Sequence, residues 1–433
     1  MKRVVVREYD WLGTVPESGF PVNLSDTQVS VLGSMERSWA RGALEWGRDR
    51  VRFAGFCGTI KLGTDYFDIL PKITEEEDPS IDRSLLVRML RIVSSLQLST
   101  GDDTQASMQD VSILDILIEL FCRTIRDSAR RGLPHAYTAH SDNLRALRGK
   151  IRVSHQIRHN ICHPEMLFCD FEEFQEDNAL NQILKAALTI AGRHAGSPGT
   201  RISVQSLLDL FIDVSDVPAS KLRWAGLEQD RRYIGWKTTL TQARWFIEGE
   251  CPNIYSGKND SICILFDMAK LFERYVAIEV GNLLSPAGYS VQCQGPFSWL
   301  LSREDMSRYK TIPDIFVTKN GLPAAILDTK WKVLMGNAGE ADMAQSDLYQ
   351  LFAYAKAYHV SDVALIYPSS YGQVLEYGYW KYMDGLTSLY IIRVDISTLK
   401  RGRQEFRDEL SRSGLDHLLA HAEEALHQPI PIS

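Results

Sequence analysis

The sequence predicts a multi-domain α/β protein whose carboxy-terminal part is built around a mixed central sheet. Three observations carry that expectation. The chain has 433 residues, a length that suggests about two to three domains. Its composition, 45% hydrophobic and 24% charged, supplies an ordinary folded core. Its periodicity changes along the chain from alternating, to helical, to helices interleaved with strands. The boundaries read as a β-rich segment at 1–75, a mainly helical region at 81–250 and an α/β domain at 261–433.

The first segment is read from FAGFCGTIKLGTDYFDILPKI (Phe53–Ile73), where apolar residues alternate between Gly turns. That pattern predicts a small antiparallel sheet or barrel. EEEDPS (Glu75–Ser80) follows as an acidic loop. In the middle, SILDILIELFCRTIRDSARRGL predicts a long amphipathic helix ending at Gly132, with arginines in its last turns. AGRHAGSPGTR (Ala191–Arg201) reads as a loop between helical stretches, and CPNIYSGKNDS (Cys251–Ser261) as the entry to the last domain. The closing residues, HQPIPIS, read as a loose tail.

The formal net charge of −7 argues against a protein that coats nucleic acid by bulk charge. A local basic patch or a binding partner is required instead. NLRALRGKIRVSHQIRHN (Asn143–Asn160) is one such patch, with Arg145, Arg148, Lys150, Arg152 and Arg158. Phosphate contact and a solvated or protein-facing surface fit it equally. The same region holds His155, His159, Cys162, His163 and Cys169, but without a Cys-x-x-Cys pair the zinc reading is disfavoured. Seven scattered cysteines predict reduced thiols in a cytoplasmic protein. The opening MKRVVVREYDWLG predicts no signal peptide, and no run reaches membrane-spanning length.

The sharpest chemistry lies in TIPDIFVTKNGLPAAILDTKWKVL (Thr311–Leu334). Asp314 follows Pro313 in one β-like run, and Asp328, Thr329 and Lys330 close the next. Pro-Asp followed by Asp-x-Lys is the pattern of a metal-dependent nuclease site. Two carboxylates hold Mg²⁺ through its preference for hard oxygen, with Mn²⁺ as a substitute. The lysine adds positive charge beside the attacking water and the developing phosphorane. The loop at Lys319-Asn320-Gly321 decides whether the carboxylates meet, because strand side chains alternate. A two-residue Asn-Gly turn puts Asp314 opposite Leu327 and away from Asp328. A three-residue Lys-Asn-Gly loop puts Asp314 opposite Ile326, as a diagonal neighbour of Asp328 at ~7–8 Å. The chemistry favours the three-residue loop.

Flanking helices extend the site. ILFDMAKLFERYVAIEV (Ile264–Val280) is strongly helical, with Asp267, Lys270 and Arg274 on its polar stripe. Glu273 falls on the apolar side, where a carboxylate needs a partner such as a metal, its water or Lys330. Glu279 also has apolar neighbours. Downstream, QSDLYQLFAYAKAYHV (Gln345–Val360) places Gln350, Ala353, Tyr354 and Ala357 on one face. Gln350 is an accessory candidate for phosphate or the metal water; Tyr354 is as well explained by packing. DVALIY (Asp362–Tyr367) and LYIIRVDI (Leu389–Ile396) then read as buried strands. No Gly-x-x-x-x-Gly-Lys-[Ser/Thr] loop occurs, so the chain is not expected to bind or hydrolyse a nucleoside triphosphate itself. No Gly-x-Ser-x-Gly elbow is present either.

Taken together, GTIKLGTDYFDILPKI, LRALRGKI, CDFEEFQEDNALNQILKAAL (Cys169–Leu188), LFDMAKLFERYV, PDI, LDTKWK and DLYQLFAYAKAY resemble the McrC family. These are the nuclease subunits of McrBC-type, modification-dependent restriction systems that act in anti-phage defence. Asp177, Asn178 and Asn181 within the third stretch read as residues that cap or pin a helix. The resemblance implies a carboxy-terminal PD-(D/E)xK nuclease in which Asp314 and Asp328 bind metal, with the Thr329 carbonyl as a further ligand. Lys330 then positions water, Glu273 assists and Gln350 is accessory; the helix carrying Gln350 follows the Asp-x-Lys strand as in RecB-like members of that superfamily. It also implies an amino-terminal adaptor docked on a ring of a McrB-like AAA+ GTPase, which reads modified cytosine in double-stranded DNA and translocates. Two alternatives are a standalone RecB-like DNA-processing nuclease and a non-catalytic regulator of an AAA+ motor.

Overall fold

Alternating apolar residues build the first strands where the sequence places them. Phe56–Leu62 and Asp65–Leu70 pair antiparallel, and Arg3–Arg7 joins the second of them in parallel. Asp68 is fully buried on that ladder, held by Arg3 at 3.0 Å and Arg83 at 3.1 Å. Two guanidinium groups offset the cost of burying one carboxylate. Leu12–Gly13, Leu44–Trp46 and Arg50–Phe53 form a separate three-stranded sheet.

The computed structural model describes residues 3–15, 19–38, 42–62, 65–72, 79–94, 111–251, 261–303, 306–333, 343–369 and 378–427. Most of the acidic loop, the Cys251–Ser261 turn apart from its two ends, and the tail from residue 428 lie outside them. The chain forms two compact units, one of Met1–Ile113 with Leu265–Ser433 and one of Leu114–Ile264. The segments read from sequence as 1–75 and 261–433 thus fall largely within the same unit.

In the Leu114–Ile264 unit, the helix Ile113–Ser128 gives way to a 3-10 turn that stops at Gly132, with φ of 91°. Glycine adopts that backbone without steric cost. The region is not helical throughout. Ala136–Leu144 pairs antiparallel with Leu167–Gln175, and Lys150–Ile151 adds a third strand. Asn178 caps the helix Ala179–His194 by accepting from Asn181 N, and the side-chain amides of both asparagines donate to Pro134 O at 2.7 and 2.9 Å. The stretch read as a loop at Ala191–Arg201 contains the end of that helix and the start of the next, Pro198–Leu208, capped by Ser197.

In the other unit, a six-stranded sheet carries the carboxy-terminal part. Its spatial order is Tyr289–Cys293, Ile315–Lys319, Leu322–Thr329, Asp362–Ser369, Ser388–Asp395 and Gly378–Lys381. The three central strands from Leu322–Thr329 onward run parallel; the outer pairings are antiparallel. The helix Gln345–Tyr358 packs on one face through Leu351, Tyr354 and Tyr358 against Phe316, Ile326, Val363 and Leu365. The helix Met268–Leu284 also packs on Leu322–Thr329. That helix begins four residues later than expected, because Ser261–Asp267 is a strand. Asp267 is its cap, accepting from Ala269 N at 3.1 Å and Lys270 N at 3.3 Å.

Glu279 is wholly buried on this helix and bonded by Arg403 Nε and Arg407 Nε, each at 2.7 Å. Removing one side of a buried charge pair leaves the rest uncompensated. Glu279→Ala is expected to cost about 3 kcal/mol of unfolding free energy, read by urea titration followed by circular dichroism.

Candidate active site

Hairpin geometry sets the site. Lys319 pairs with Leu322, so Asn320 and Gly321 form a two-residue turn. Both have positive φ, 52° and 80°, as a type I′ turn requires. The three-residue loop expected from sequence is therefore corrected. The missing residue appears as a bulge instead. Thr318 pairs with Pro323 but Val317 with Ala325, which leaves Ala324 unpaired. Beyond the bulge Ile315 faces Leu327, so the next residues outward, Asp314 and Asp328, face one another. The two carboxylates share a face, as direct cross-strand neighbours rather than diagonal ones.

The backbone of Asp314 is fixed from both sides. Gln294 N donates to Asp314 O at 2.7 Å, and Gly295 N to Pro313 O at 2.9 Å. A Cβ on residue 295 would fall 2.5 Å from the Phe316 Cβ, so the close approach requires glycine. On the carboxylate side, Thr329 N and Thr329 Oγ1 both donate to Asp314 Oδ2, at 3.0 and 3.3 Å. Asp328 is 1% exposed. Lys330 Nζ lies 2.8 Å from its Oδ2, while Oδ1 has no hydrogen-bond partner among the described residues.

Burial pushes the Asp328 carboxyl up to about 6; the neighbouring Asp314 pushes the same way, and Lys330 opposes both. Burial also raises Asp314, against the Thr329 hydrogen bonds and Lys330. For Lys330, the carboxylates of Asp328, Asp347 and Asp314 outweigh desolvation and raise its pKa. Two acids crowded together, one with a bare buried oxygen, form a place where a cation relieves repulsion.

Glu273 is buried, and its Oε1 accepts from Gln294 Nε2 at 2.5 Å and Cys293 Sγ at 3.7 Å. Burial raises its pKa, and the charge of Asp314 pushes the same way. Gln350 Nε2 donates to Tyr354 Oη at 2.8 Å, and that hydroxyl donates to Ile312 O at 3.1 Å. This chain of bonds ties the helix to the backbone two residues before Asp314. Tyr354 therefore joins packing to a positioning bond.

The sequence reading missed Asp347, 3.5 Å from Lys330. Its signal was present: it lies one helical turn before Gln350. Reading Glu273 alone also missed Gln294 and Cys293, since nothing in the sequence brings that strand end to the helix. Among the described residues no three His, Cys, Asp or Glu side chains converge as a closed metal cage. Mg²⁺ accepts few protein ligands and keeps several waters, so a two-carboxylate set with an unpartnered Oδ1 suits it. In the other unit, His155 and His159 pack around the Phe168 ring, Cys169 is buried and Cys162 exposed. Arg148 stacks on Phe171 and pairs with Glu173, and Arg152 reaches Asp170, so part of the basic stretch is engaged within the unit.

The fold and the site define an α/β protein with two facing aspartates and a lysine at the open end of a mixed sheet. Residues 51–368 match the family described as McrBC 5-methylcytosine restriction system component, and the chain belongs to that family. No curated protein matches it. Among solved structures, it is similar to a chain in the refined half-complex from a tetradecameric assembly of Thermococcus gammatolerans McrB AAA+ hexamers with bound McrC. The identity is 18%, the TM-score 0.63, and the alignment covers 95% of this chain and 100% of that one. A chain of the Thermococcus gammatolerans McrBC complex solved by cryo-EM aligns at 18% identity and a TM-score of 0.48, over 65% and 88%. No described helix is long and apolar enough to cross a membrane.

A carboxyl whose folded pKa exceeds its unfolded value favours the fold at low pH. For Asp328 that contribution is present below the ordinary value of 3.8 and lost as pH rises through about 6. In chelator, Asp328→Asn is expected to melt above the wild type at pH 8, and the gap should close only near pH 3, below the ordinary carboxyl value. Differential scanning calorimetry at the two pH values checks this.

Proposed function

We propose that this chain is the Mg²⁺-dependent endonuclease subunit of a McrBC-type restriction complex, with a PD-(D/E)xK site at Asp314, Asp328 and Lys330. One observation carries the reading. Asp314 and Asp328 stand opposite each other at a strand end, with Lys330 at 2.8 Å from Asp328 and a buried Asp328 oxygen left without a partner. A buried structural carboxylate is ordinarily fully bonded, as Glu279 is here by two arginines. Glu8 in the same unit also keeps an unpartnered oxygen, so it is the facing of Asp328 by Asp314, with Lys330 beside them, that supports the reading.

Asp314 and Asp328 would hold the ion, with the Thr329 carbonyl as a further oxygen donor. When bound, Mg²⁺ supplies charge for the phosphoryl oxygens and acidity for water. Thr329 keeps Asp314 turned toward the site through two hydrogen bonds. Lys330 places a cation beside the incoming nucleophile, and Asp347 shares that charge from the helix. Glu273, raised in pKa by burial and by the Asp314 charge, accepts a proton or orients water. Gln350 holds the helix register through Tyr354.

The family and the solved relative support a partner as well. In the relative, McrC is bound to McrB AAA+ hexamers. This chain takes the corresponding place on an AAA+ GTPase ring, which selects double-stranded DNA carrying modified cytosine. The chain itself has no phosphate-binding loop, so nucleotide hydrolysis belongs to the ring.

Asp314→Asn, Asp328→Asn and Lys330→Ala are each expected to reduce cleavage at least about a hundredfold, with circular dichroism unchanged. The assay uses methylated duplex, Mg²⁺ and the cognate AAA+ protein. Wild-type cleavage by Asp328→Asn would overturn the site, and no cleavage by any form would favour a non-catalytic regulator.

Docking has its own test. A chain lacking residues 1–75 would also lose strands that share a unit with the site, so surface changes are preferable. In pull-down with the cognate ring, Trp46→Ala is expected to reduce retention if the amino-terminal strands dock, and Phe174→Ala if the Leu114–Ile264 unit does. Both residues are exposed, at 42% and 59%.

A further inference from the structure

The residue after Lys330 leads out of the site and into the amino-terminal strands. Side chains alternate along Leu322–Thr329 and beyond, so Trp331 faces away from Lys330. Its ring packs on Phe272 at a centroid distance of 5.3 Å, and Phe272 immediately precedes Glu273. Its indole Nε1 donates to Glu8 Oε1 at 3.0 Å, across 323 residues of sequence. Glu8 is 1% exposed. The same oxygen accepts from Lys72 N at 3.1 Å, and Glu8 N donates to Leu70 O at 2.8 Å. Glu8 Oε2 has no hydrogen-bond partner among the described residues.

Such a residue is costly unless its contact matters. An isosteric apolar side chain would fill the space without burying a carboxyl group. Trp331 would keep its packing on Phe272 without Glu8, but its indole N–H would then be unsatisfied. The bond therefore pins Trp331 to the Arg3–Arg7 strand end. The Lys330 backbone is held by Lys330 N donating to Ile366 O at 2.9 Å and by Lys332 N donating to Lys330 O at 3.0 Å. The strand ends there, and Trp331 is the neighbouring side chain anchored in the amino-terminal strands.

We propose that Glu8 is a positioning residue for Lys330: through the Trp331 indole it locks the end of the Asp-x-Lys strand to the amino-terminal sheet. One route for a force on the amino-terminal strands to reach the lysine then runs through that hydrogen bond and the Trp331 ring. The inference rests on the reading of Lys330 as part of the cleavage site. It adds a residue outside that site and a route by which the amino-terminal strands set its geometry.

The test compares Glu8→Gln, Glu8→Ala and Trp331→Phe in the full chain. Glutamine keeps the acceptor oxygen, and phenylalanine keeps the ring but loses the donor. Cleavage of methylated duplex with Mg²⁺ and the cognate AAA+ protein should give Glu8→Gln within twofold of wild type. Glu8→Ala and Trp331→Phe should each lower kcat about tenfold at unchanged KM, since misplacement of a reacting group acts on the chemical step. The double variant should be no worse than either single one. A second readout does not depend on cleavage. Hydrogen exchange of the free chain should speed up over 322–333 in Glu8→Ala and Trp331→Phe but not in Glu8→Gln. Wild-type kcat in Trp331→Phe, or exchange over 322–333 unchanged in both, would overturn the proposal. Faster exchange without any cleavage by the wild type would instead sink the nuclease reading and leave the mechanical link standing.

Discussion

Two like charges held face to face at the end of a sheet are the constraint on which the rest of this unit depends. Asp314 and Asp328 face one another because a tight turn and a bulge together set the register. Repulsion and burial both resist that arrangement, and burial is the larger effect on Asp328. Everything nearby serves to hold the pair in place despite the cost. Thr329 donates twice to Asp314, Gln294 and Gly295 clamp its backbone, and Lys330 compensates one oxygen of Asp328. None of these bonds closes the remaining oxygen. The sheet thus holds two carboxylates together with many contacts and leaves Asp328 Oδ1 without a partner among the described residues.

The site was legible in the sequence because its chemistry is local. Pro-Asp and Asp-x-Lys sit fifteen residues apart on one hairpin, and alternation alone decides which side chains meet. The way they meet was not legible. A bulge at Ala324 costs no residue type that sequence reading recognises, and it does the work assigned to a longer loop. Asn320 and Gly321 form the two-residue turn that the sequence reading weighed and set aside for the longer loop. The demand that the carboxylates converge was sound, but the ladder rather than the turn absorbed the extra residue. Glu273 was read correctly as buried from helical spacing. Its partners Gln294 and Cys293 come from a strand whose position depends on the whole sheet.

The start of the helix at Met268 shows the same limit from the other side. SICILFD has the composition of either element, and periodicity does not separate a short buried strand from a helix segment. Asp267 decides it, by capping the helix with its side chain. In the middle region, arginines and histidines suggested nucleic acid or metal, but the three-stranded sheet there uses several of them against its own acids and rings. Charge counts from sequence cannot distinguish an offered cation from one already paired.

The separation expected between an amino-terminal adaptor and a carboxy-terminal catalytic domain also changes meaning in three dimensions. Composition shifts along the chain mark where secondary structure changes, and they carry no information on which segments share a core. Here residues at both ends of the chain form one unit. Met268 N bonds Gly55 O at 2.9 Å, the helix Pro79–Val93 packs on Met268–Leu284, and Trp331 reaches Glu8. The helix that carries Glu273 is therefore capped at its start and supported along its side by the amino-terminal residues. Such wiring has a physical consequence. A contact made on the amino-terminal strands is transmitted through a close-packed interior, which shifts as a body rather than yielding locally. The geometry of the candidate site and the surface presented by the first strands are then two readouts of one packed unit.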